Sequence, residues 1–500
     1  MAPMKEATAS YKRVLEQSKV GPAMPPDITH LPLTFLDISL AGPVYVRRQF
    51  FYDFPHSTHH FLHTTLPTLK NSLSIALQRF FPLAGNLLCP PPPEKPYIHC
   101  TGGDSVALTV AESASDNFNI YSSNRPKSLQ DLEEVSVPEL PWRTTTEEDG
   151  NDDDVTLVFP TVALQVTVFP NAGLCIAITY CHIMDGSCCS HFMKTWASFC
   201  RRQLSTEDMT TFEDNYMPLP SYDRGLIRDP RGLEAIFLGD YFTDRSSWKQ
   251  SLVGKTSKRL RREDDECRYK ATVVLRREDI EVLQKSAMKQ WRKDDEEEST
   301  CPMYLSKFVA ACGFVWASYV EATRHIDDDG EEEEEEEEEC FLFAADCRKR
   351  MEYPVPENYF GNCINRCFVW LKRKEVKGDE GFVKGVKGIW KEVEDMKREP
   401  LRDAEKWNER AQKAFVLGSA VLLVTGSPKF GVYETDFGFG RPKKVEMVHS
   451  AKCVSLAEEG RRDGEGGLEF GLVFRRNEYE DFMSIVEKRL RTLQELYGPL

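Results

Sequence analysis

The sequence predicts an α/β protein of two domains, and three observations carry that expectation. The chain has 500 residues, too many for one ordinary hydrophobic core. Residues 155–203 read as strand, turn, strand, tight turn and helix. A second alternation of strand-like and helix-like stretches begins near Tyr269. A chain that is 41% hydrophobic and 29% charged suits a soluble globular protein.

The elements follow in order from local pattern. Residues 31–40 (LPLTFLDISL) read as a strand bent at Asp37. Over 66–81, Leu66, Leu69, Leu73, Ala76, Leu77 and Phe80 recur at helical spacing, with Pro67 in the first turn where proline is tolerated. Pro82 and Gly85 end that helix, the prolines at 90–93 make a loop, and 106–110 alternates as a strand. An acidic surface loop at 147–154 leads into the central hairpin. Val162, Leu164, Val166 and Val168 share one face of its first strand. Leu174, Ile176, Ile178 and Tyr180 share one face of its second, and Pro170-Asn171-Ala172-Gly173 turns between them. After Gly186, the residues Cys189, Phe192, Met193, Trp196, Phe199 and Cys200 form one helical stripe.

The polar, proline-bearing stretch that follows reads as a linker. The expected division is therefore a first domain at 1–205, a crossover at 206–238 and a second domain at 239–500. In the second domain, strands are expected at 269–275, 341–345, 420–424 and 468–474. Helices are expected at 277–291, 303–319, 405–415 and 478–497.

The net charge of −16 is mostly local. Residues 327–339 hold three Asp and nine Glu, and without these twelve the chain has 68 acidic against 64 basic residues. The folded body is near neutral, which gives no case for nucleic-acid binding or a basic membrane face. The acidic tract, at about 326–339, is expected to be a solvated, disordered insertion, because like charges repel and bury nothing. Fifteen scattered cysteines suggest no disulfide framework, so reduced thiols in the cytoplasm are expected. The start MAPMKEATASYKR has no apolar run of a signal peptide, and the longest apolar stretch, 414–424, is too short to span a bilayer.

The chemistry centres on Cys181-His182-Ile183-Met184-Asp185-Gly186. His182 stands where a strand ends and a tight turn leads into a helix. A neutral imidazole there can take a proton from an alcohol near pH 7. Asp185 can cap the helix or pair with an arginine to brace the turn. Taken alone, a strand-end histidine is more often a packed residue than a catalyst. Cys181, His182, Cys188, Cys189 and His191 are five potential metal ligands in eleven residues. Yet Cys189 belongs to the apolar stripe and no second Cys-x-x-Cys half exists, so no metal is expected here. The imidazoles of His56, His59, His60 and His63 are read as exposed at a helix start, again without a metal. Asp436-Phe437-Gly438-Phe439-Gly440 reads as a tight backbone path packed on an aromatic. It is neither a dinucleotide fingerprint nor a P-loop.

These motifs, in this order, resemble the plant BAHD acyltransferases over nearly the whole chain. The family's first signature is His-x-x-x-Asp-Gly after a strand like ITYCH and before a helix like HFMKTWAS. Its second is Asp-Phe-Gly-Trp-Gly, met here by 436–440, with Phe439 in place of Trp. FPLAGNL at 81–87 is also typical. Tyr359-Phe360-Gly361-Asn362-Cys363 and SPKFGVYETDFG look like the subgroup that acylates the sugars of anthocyanins, flavonoids and other phenolic glucosides.

The resemblance implies two similar domains, each a mixed β-sheet flanked by helices (chloramphenicol-acetyltransferase-like), with the active-site channel between them. It implies a cytoplasmic monomer with acyl-CoA as co-substrate and no permanently bound cofactor. His182 would deprotonate a sugar hydroxyl for attack on a malonyl or hydroxycinnamoyl thioester in a ternary complex. Asp185 would be a brace paired with Arg348 or Arg350, and those arginines compete for a second task, the free carboxylate of a malonyl donor. Asp436 would support domain packing or the CoA channel, with a lesser role in proton transfer. Ser306, Lys307, Ser427 and Lys429 fall where the family contacts CoA.

One departure matters. The family places three residues between His and Asp, and this chain has only Ile183 and Met184. Counted from the strand, His182 fills the catalytic slot. Counted back from Asp185, Cys181 does. The first count is preferred, because ITYCH aligns without strain and a thiol is a poor base for an alcohol. Losing one residue shortens the connection by up to ~3.5 Å, and a misplacement of about 1 Å costs ~100-fold in rate. The alternatives to a working O-acyltransferase are therefore a catalytically impaired protein of the same fold that binds these substrates, and an N-acyltransferase on polyamines.

Overall fold

The structure is a computed structural model that describes residues 12–24, 26–135, 140–145, 155–204, 217–253, 268–294, 301–323, 337–416, 421–448, 453–460 and 466–498. It divides into two compact units. The first comprises 1–266 together with two segments from far later in the sequence, 352–363 and 430–449. The second comprises 267–351, 364–429 and 450–500.

The main sheet of the first unit has six strands, in the order Lys12–Val20, Val106–Ser113, Val162–Phe169, Gly173–Cys181, Tyr45–Asp53 and Lys444–Met447. The predicted hairpin is its centre, paired from Val162 opposite Tyr180 to Phe169 opposite Gly173. Every residue of both hairpin strands is buried. The sequence reading expects one apolar face, but a central strand is covered on both. Asn171 takes the left-handed conformation in the turn (φ 59°), which asparagine tolerates better than most residues. Gly173 lies against the Phe118 ring, where an added Cβ would stand only 2.1 Å from it.

Helices Leu66–Arg79 and Gly186–Leu204 pack together beside this sheet. The Trp196 indole N–H donates to the Leu69 carbonyl (3.1 Å) and to Ser72 Oγ (3.2 Å). The predicted stripe of the second helix is buried except for Phe199, which lies partly exposed under the Arg79 guanidinium. A smaller sheet runs Thr29–Pro32, Tyr97–Cys100, Asn86–Cys89, Thr156–Pro160 and Arg143–Thr145.

Two sequence expectations for this unit are corrected. Residues 31–40 are not one bent strand. Strand Thr29–Pro32 ends and a single helical turn, Phe35–Ile38, follows. Thr34 is its N-cap, and Asp37 accepts the Thr34 N–H at 3.0 Å. The expected domain boundary at 239 falls inside helix Leu233–Val253, which belongs to the first unit. Leu233, Phe237, Tyr241 and Arg245 are buried at four-residue spacing, and Phe237 stacks on Phe35 with ring centroids 6.2 Å apart. The prolines before residue 233 hide this apolar stripe in the sequence.

In the second unit the strand order is Ile364–Lys372, Glu338–Asp346, Val421–Thr425, Cys453–Glu458, Leu468–Arg475 and Arg268–Leu275. Glu338–Asp346 and Cys453–Glu458 both run parallel to Val421–Thr425, and the outer pairings are antiparallel, so the sheet is mixed. Its core gathers Trp316, Phe314, Val386 and Phe470 with helices Arg277–Asp294, Lys307–Ala322, Gly378–Arg398 and Arg476–Tyr497. The helix expected from 303 starts at Lys307 and leaves Met303 exposed. Of the acidic tract, residues 327–336 lie outside the described residues. Its last residues are not loop: Glu338 opens a strand, and the buried Glu339 pairs with Arg373, whose guanidinium also donates to the Val320 carbonyl. A carboxylate next to strand residues is drawn inward when a buried cation meets it.

The returning strand Lys444–Met447 is fastened by a buried ion pair. Lys127 Nζ lies 2.9 Å from Glu446, and each side chain is 1% exposed. Lys127 also donates to the Tyr121 (2.8 Å) and Ser123 (2.6 Å) carbonyls. Replacing Lys127→Met breaks this buried ion pair from one side, at a cost of about 3–5 kcal/mol. The expected result is a clear fall in the urea midpoint of the native protein. The double variant Lys127→Met/Glu446→Met should regain most of it, and an unchanged midpoint in the single variant would contradict this role.

Candidate active site

Strand Gly173–Cys181 ends in two successive tight contacts. The Cys181 N–H donates to the Thr161 carbonyl (2.9 Å), and the His182 N–H donates to the Val44 carbonyl (3.0 Å). The Ile183 N–H then turns back to the Cys181 carbonyl at 2.6 Å. That three-residue turn, centred on His182, reverses the chain in the least possible length. It is how a connection of two residues reaches the helix.

Asp185 receives the turn. Its Oδ1 accepts the Cys188 N–H at 3.0 Å, capping helix Gly186–Leu204. A carboxylate there also suits the positive end of the helix. Gly186 is required by close approach, because an added Cβ would stand 2.6 Å from the Phe430 ring.

The segment 359–363 completes the arrangement. The Cys363 N–H donates to Asp185 Oδ2 at 3.1 Å, and the Asp185 N–H points at the Gly361 carbonyl at 3.4 Å. Asn362 meets His182 twice: its Nδ2 donates to the His182 carbonyl (2.8 Å), and its Oδ1 lies 3.0 Å from His182 Nδ1. Neighbouring residues therefore hold both ends of the short motif, Asn362 the histidine and Cys363 the aspartate.

Since the NH2 end of Asn362 is committed to a carbonyl, the end facing Nδ1 is the acceptor. Nδ1 then carries the proton, and the lone pair sits on Nε2. His182 is partly exposed, whereas Cys181 is wholly buried. Burial pushes the Cys181 thiol well above its usual range, and its Sγ donates to the Pro160 carbonyl at 3.3 Å. Of the two residues that compete for the catalytic slot, only His182 can accept a proton.

The remaining candidates divide. Asp436 holds its own loop: Oδ1 accepts the N–H groups of Gly438 (2.7 Å) and Gly440 (2.9 Å), with Arg201 3.7 Å from Oδ2. Both glycines have positive φ, 99° and 85°, conformations that side chains strain. Phe437 sits edge-on to Trp196 (4.8 Å), and Phe439 sits edge-on to Tyr52 (5.9 Å) and Phe54 (5.5 Å). An aromatic other than Trp therefore fills that position.

Arg348, Arg350, Ser306, Lys307, Ser427 and Lys429 belong to the second unit. Arg348 pairs with Asp346 at 3.1 Å, and Arg350 donates to the Asp346 carbonyl. Ser306 caps helix Lys307–Ala322 by accepting the Val309 N–H (3.2 Å). Lys307 donates to the Gly466 carbonyl at 3.2 Å. Ser427 Oγ accepts the Lys429 N–H at 3.2 Å, and the Lys429 side chain is exposed. The functional residue that sequence reasoning missed is Asn362. It lies within the motif at 359–363, and nothing local marks it, because its partner is 180 positions away.

Comparison with known proteins adds four findings. A Transferase family model matches residues 13–488. The chain is 34% identical over 470 residues to coumaroyl-CoA:anthocyanidin 3-O-glucoside-6''-O-coumaroyltransferase 1 of Arabidopsis thaliana, covering 93% of this chain and 94% of that one. It is also 34% identical over 498 residues to malonyl-coenzyme A:anthocyanin 3-O-glucoside-6''-O-malonyltransferase of Dahlia pinnata, covering 96% and 97%. The crystal structure of vinorine synthase shares the fold, with a TM-score of 0.64 at 18% identity over 97% of this chain and 98% of that one.

Asp185→Ala removes the acceptor of two backbone N–H groups. Each stranded donor costs about 1–3 kcal/mol, so thermal unfolding should begin well below that of the native protein. Asp185→Asn keeps an oxygen for one of the two donors and should fall between. Equal stability of Asp185→Ala and the native chain would contradict the bridging role.

Proposed function

The chain belongs to the Transferase family, as a BAHD acyltransferase, and from that premise we propose that it moves an acyl group from acyl-CoA to a hydroxyl of a phenolic or flavonoid glycoside. The observation that carries this reading is the double grip of Asn362 and Cys363 on His182 and Asp185. It supports a working motif in spite of the two-residue spacing.

His182 acts as the general base. Nε2 takes the proton of a sugar hydroxyl as its oxygen bonds to the thioester carbonyl carbon. The tetrahedral intermediate collapses by breaking the carbon–sulfur bond. The imidazolium returns its proton to the leaving CoA thiolate, and the products are an ester and free CoA thiol. No acyl-enzyme forms, so much of the acceleration comes from holding both substrates together. Relatives that carry coumaroyl and malonyl groups match this chain equally well, so the donor is an acyl-CoA of one of these two kinds. Asp185 serves as the brace and Asp436 as the anchor of its loop. For the CoA, the family pattern leaves Ser306, Lys307, Ser427 and Lys429 as contacts. For the free carboxylate of a malonyl donor it leaves Arg348 or Arg350. Among the described residues no helix is long and apolar enough to cross a membrane. The scattered cysteines of the sequence support a reaction in the reducing cytoplasm.

The test is incubation with p-coumaroyl-CoA or malonyl-CoA and a panel of flavonoid glucosides, with release of free thiol followed. Thiol release that depends on the glucoside is expected. His182→Ala should lower it by ~10²–10⁴-fold while CoA-ester binding persists. No turnover by the native protein, with activity gained when one residue is inserted after His182, would instead favour the impaired binding protein.

A further inference from the structure

Four hydrogen bonds converge on a carboxylate that the catalytic motif does not contain. Asp37 is 1% exposed. Its Oδ2 accepts the Thr34 N–H (3.0 Å) and the Thr34 hydroxyl (2.8 Å), which is all that the short helix Phe35–Ile38 needs from it. Its Oδ1 is turned the other way and accepts both the backbone N–H (2.8 Å) and the side-chain Nδ2 (3.0 Å) of Asn362. Arg224 Nη1 lies 3.6 Å from Oδ2, and is itself fixed by the Tyr359 hydroxyl (2.9 Å) and the Phe360 carbonyl (2.7 Å). There is no slack around this group. Gly361 has φ +139°, and an added Cβ would stand 2.5 Å from Arg224 Nη1 and 3.3 Å from Asp37 Oδ1.

We propose that Asp37 is a positioning residue for the acyl transfer, setting the tautomer and ring orientation of His182 through the side-chain amide of Asn362. The proposal rests on the reading of His182 as the base. An asparagine amide has two ends of nearly equal shape, and only its hydrogen-bond partners tell them apart. The NH2 end lies between two acceptors, the His182 carbonyl (2.8 Å) and Asp37 Oδ1 (3.0 Å), and of the two only the carboxylate, an acceptor only, stands outside the His182 turn that is to be oriented. The carbonyl end is thereby left to meet His182 Nδ1, which must carry the proton. Nε2 then holds the lone pair that the reaction needs. With the amide turned over, its NH2 would face Nδ1, the ring proton would move to Nε2, and the base would be disabled. The same logic operates where an outer carboxylate or carbonyl fixes the tautomer of a metal-binding histidine. Here the fixing group acts at one remove, through an amide.

The test uses the full chain labelled with 15N-histidine, with the NMR spectrum recorded at a pH where the imidazole is neutral and His182 assigned by its loss in His182→Ala. The native protein should show the Nδ1–H tautomer at His182. Asp37→Asn, which can present an NH2 to Asn362, and Asn362→Ala should both shift the ring toward Nε2–H. Each should lower kcat ~10–100-fold, with KM for both substrates nearly unchanged. Thr34→Val removes a donor to Oδ2 but leaves the contact of Oδ1 with Asn362. It should keep the native tautomer and kcat even if it melts earlier, which separates positioning from helix capping. A native His182 in the Nε2–H form overturns the proposal. So do Asp37→Asn and Asn362→Ala proteins with the native spectrum and kcat. Should the native protein transfer no acyl group, the transferase reading fails on its own, and the spectrum still decides whether Asp37 sets the ring.

Discussion

Asp185 accepts one backbone N–H from the helix it begins and another from Cys363, 178 positions further along the chain. That bridge is the constraint on which the site depends. It joins the end of the central strand pair to a segment that reaches the first unit from the second half of the sequence. With Cys363 fixed, Asn362 is placed against His182, and the histidine has a defined orientation. Remove the bridge and the cap, the loop and the ring orientation lose a common support. Cooperative arrangements of this sort make buried polar groups costly to satisfy in part.

The two-residue link between His182 and Asp185 changes meaning in this light. A shortened connection is harmful when its ends cannot reach their partners. Here the chain closes a three-residue turn at His182, and each end then finds a hydrogen-bond partner in the same returning segment. Distance along the sequence is a poor proxy for distance in space at a tight turn. The loop at 436–440 makes a similar point. Its aspartate is satisfied by two glycine N–H groups of its own loop, and its second aromatic needs to fill a space rather than to be a particular residue.

The parts legible in the sequence were those encoded by local period. The hairpin at 162–181 and the helix from Gly186 were readable because their apolar residues repeat at the spacing of strand and helix. His182 was readable because a strand end, a turn and a helix start bracket it. Helix Phe35–Ile38 was missed because one turn has no period, although the spacing of Thr34 and Asp37 is a capping signal that could have found it. Helix Leu233–Val253 was hidden by the prolines before it, and the first residues of strand Glu338–Asp346, whose centre at 341–345 was readable, by the acidic run before them. The contacts of Asn362 with His182 and Asp37 could not be read at all. They join positions 180 and 325 apart, and no local pattern encodes such a meeting.

The return of segments 352–363 and 430–449 to the first unit has a consequence for synthesis. A ribosome delivers the chain from its N-terminus at a finite rate, and domains usually fold as they emerge. The first unit cannot finish on that schedule. Its main sheet lacks the strand Lys444–Met447, and the buried Lys127 lacks Glu446, until those distant residues have been made. During that interval the edge at Tyr45–Asp53 is an open template for wrong pairing. The nascent chain is thus exposed to misassembly from the synthesis of Tyr45–Asp53 to that of Lys444–Met447, and it is in that window that a chaperone would have the most to do.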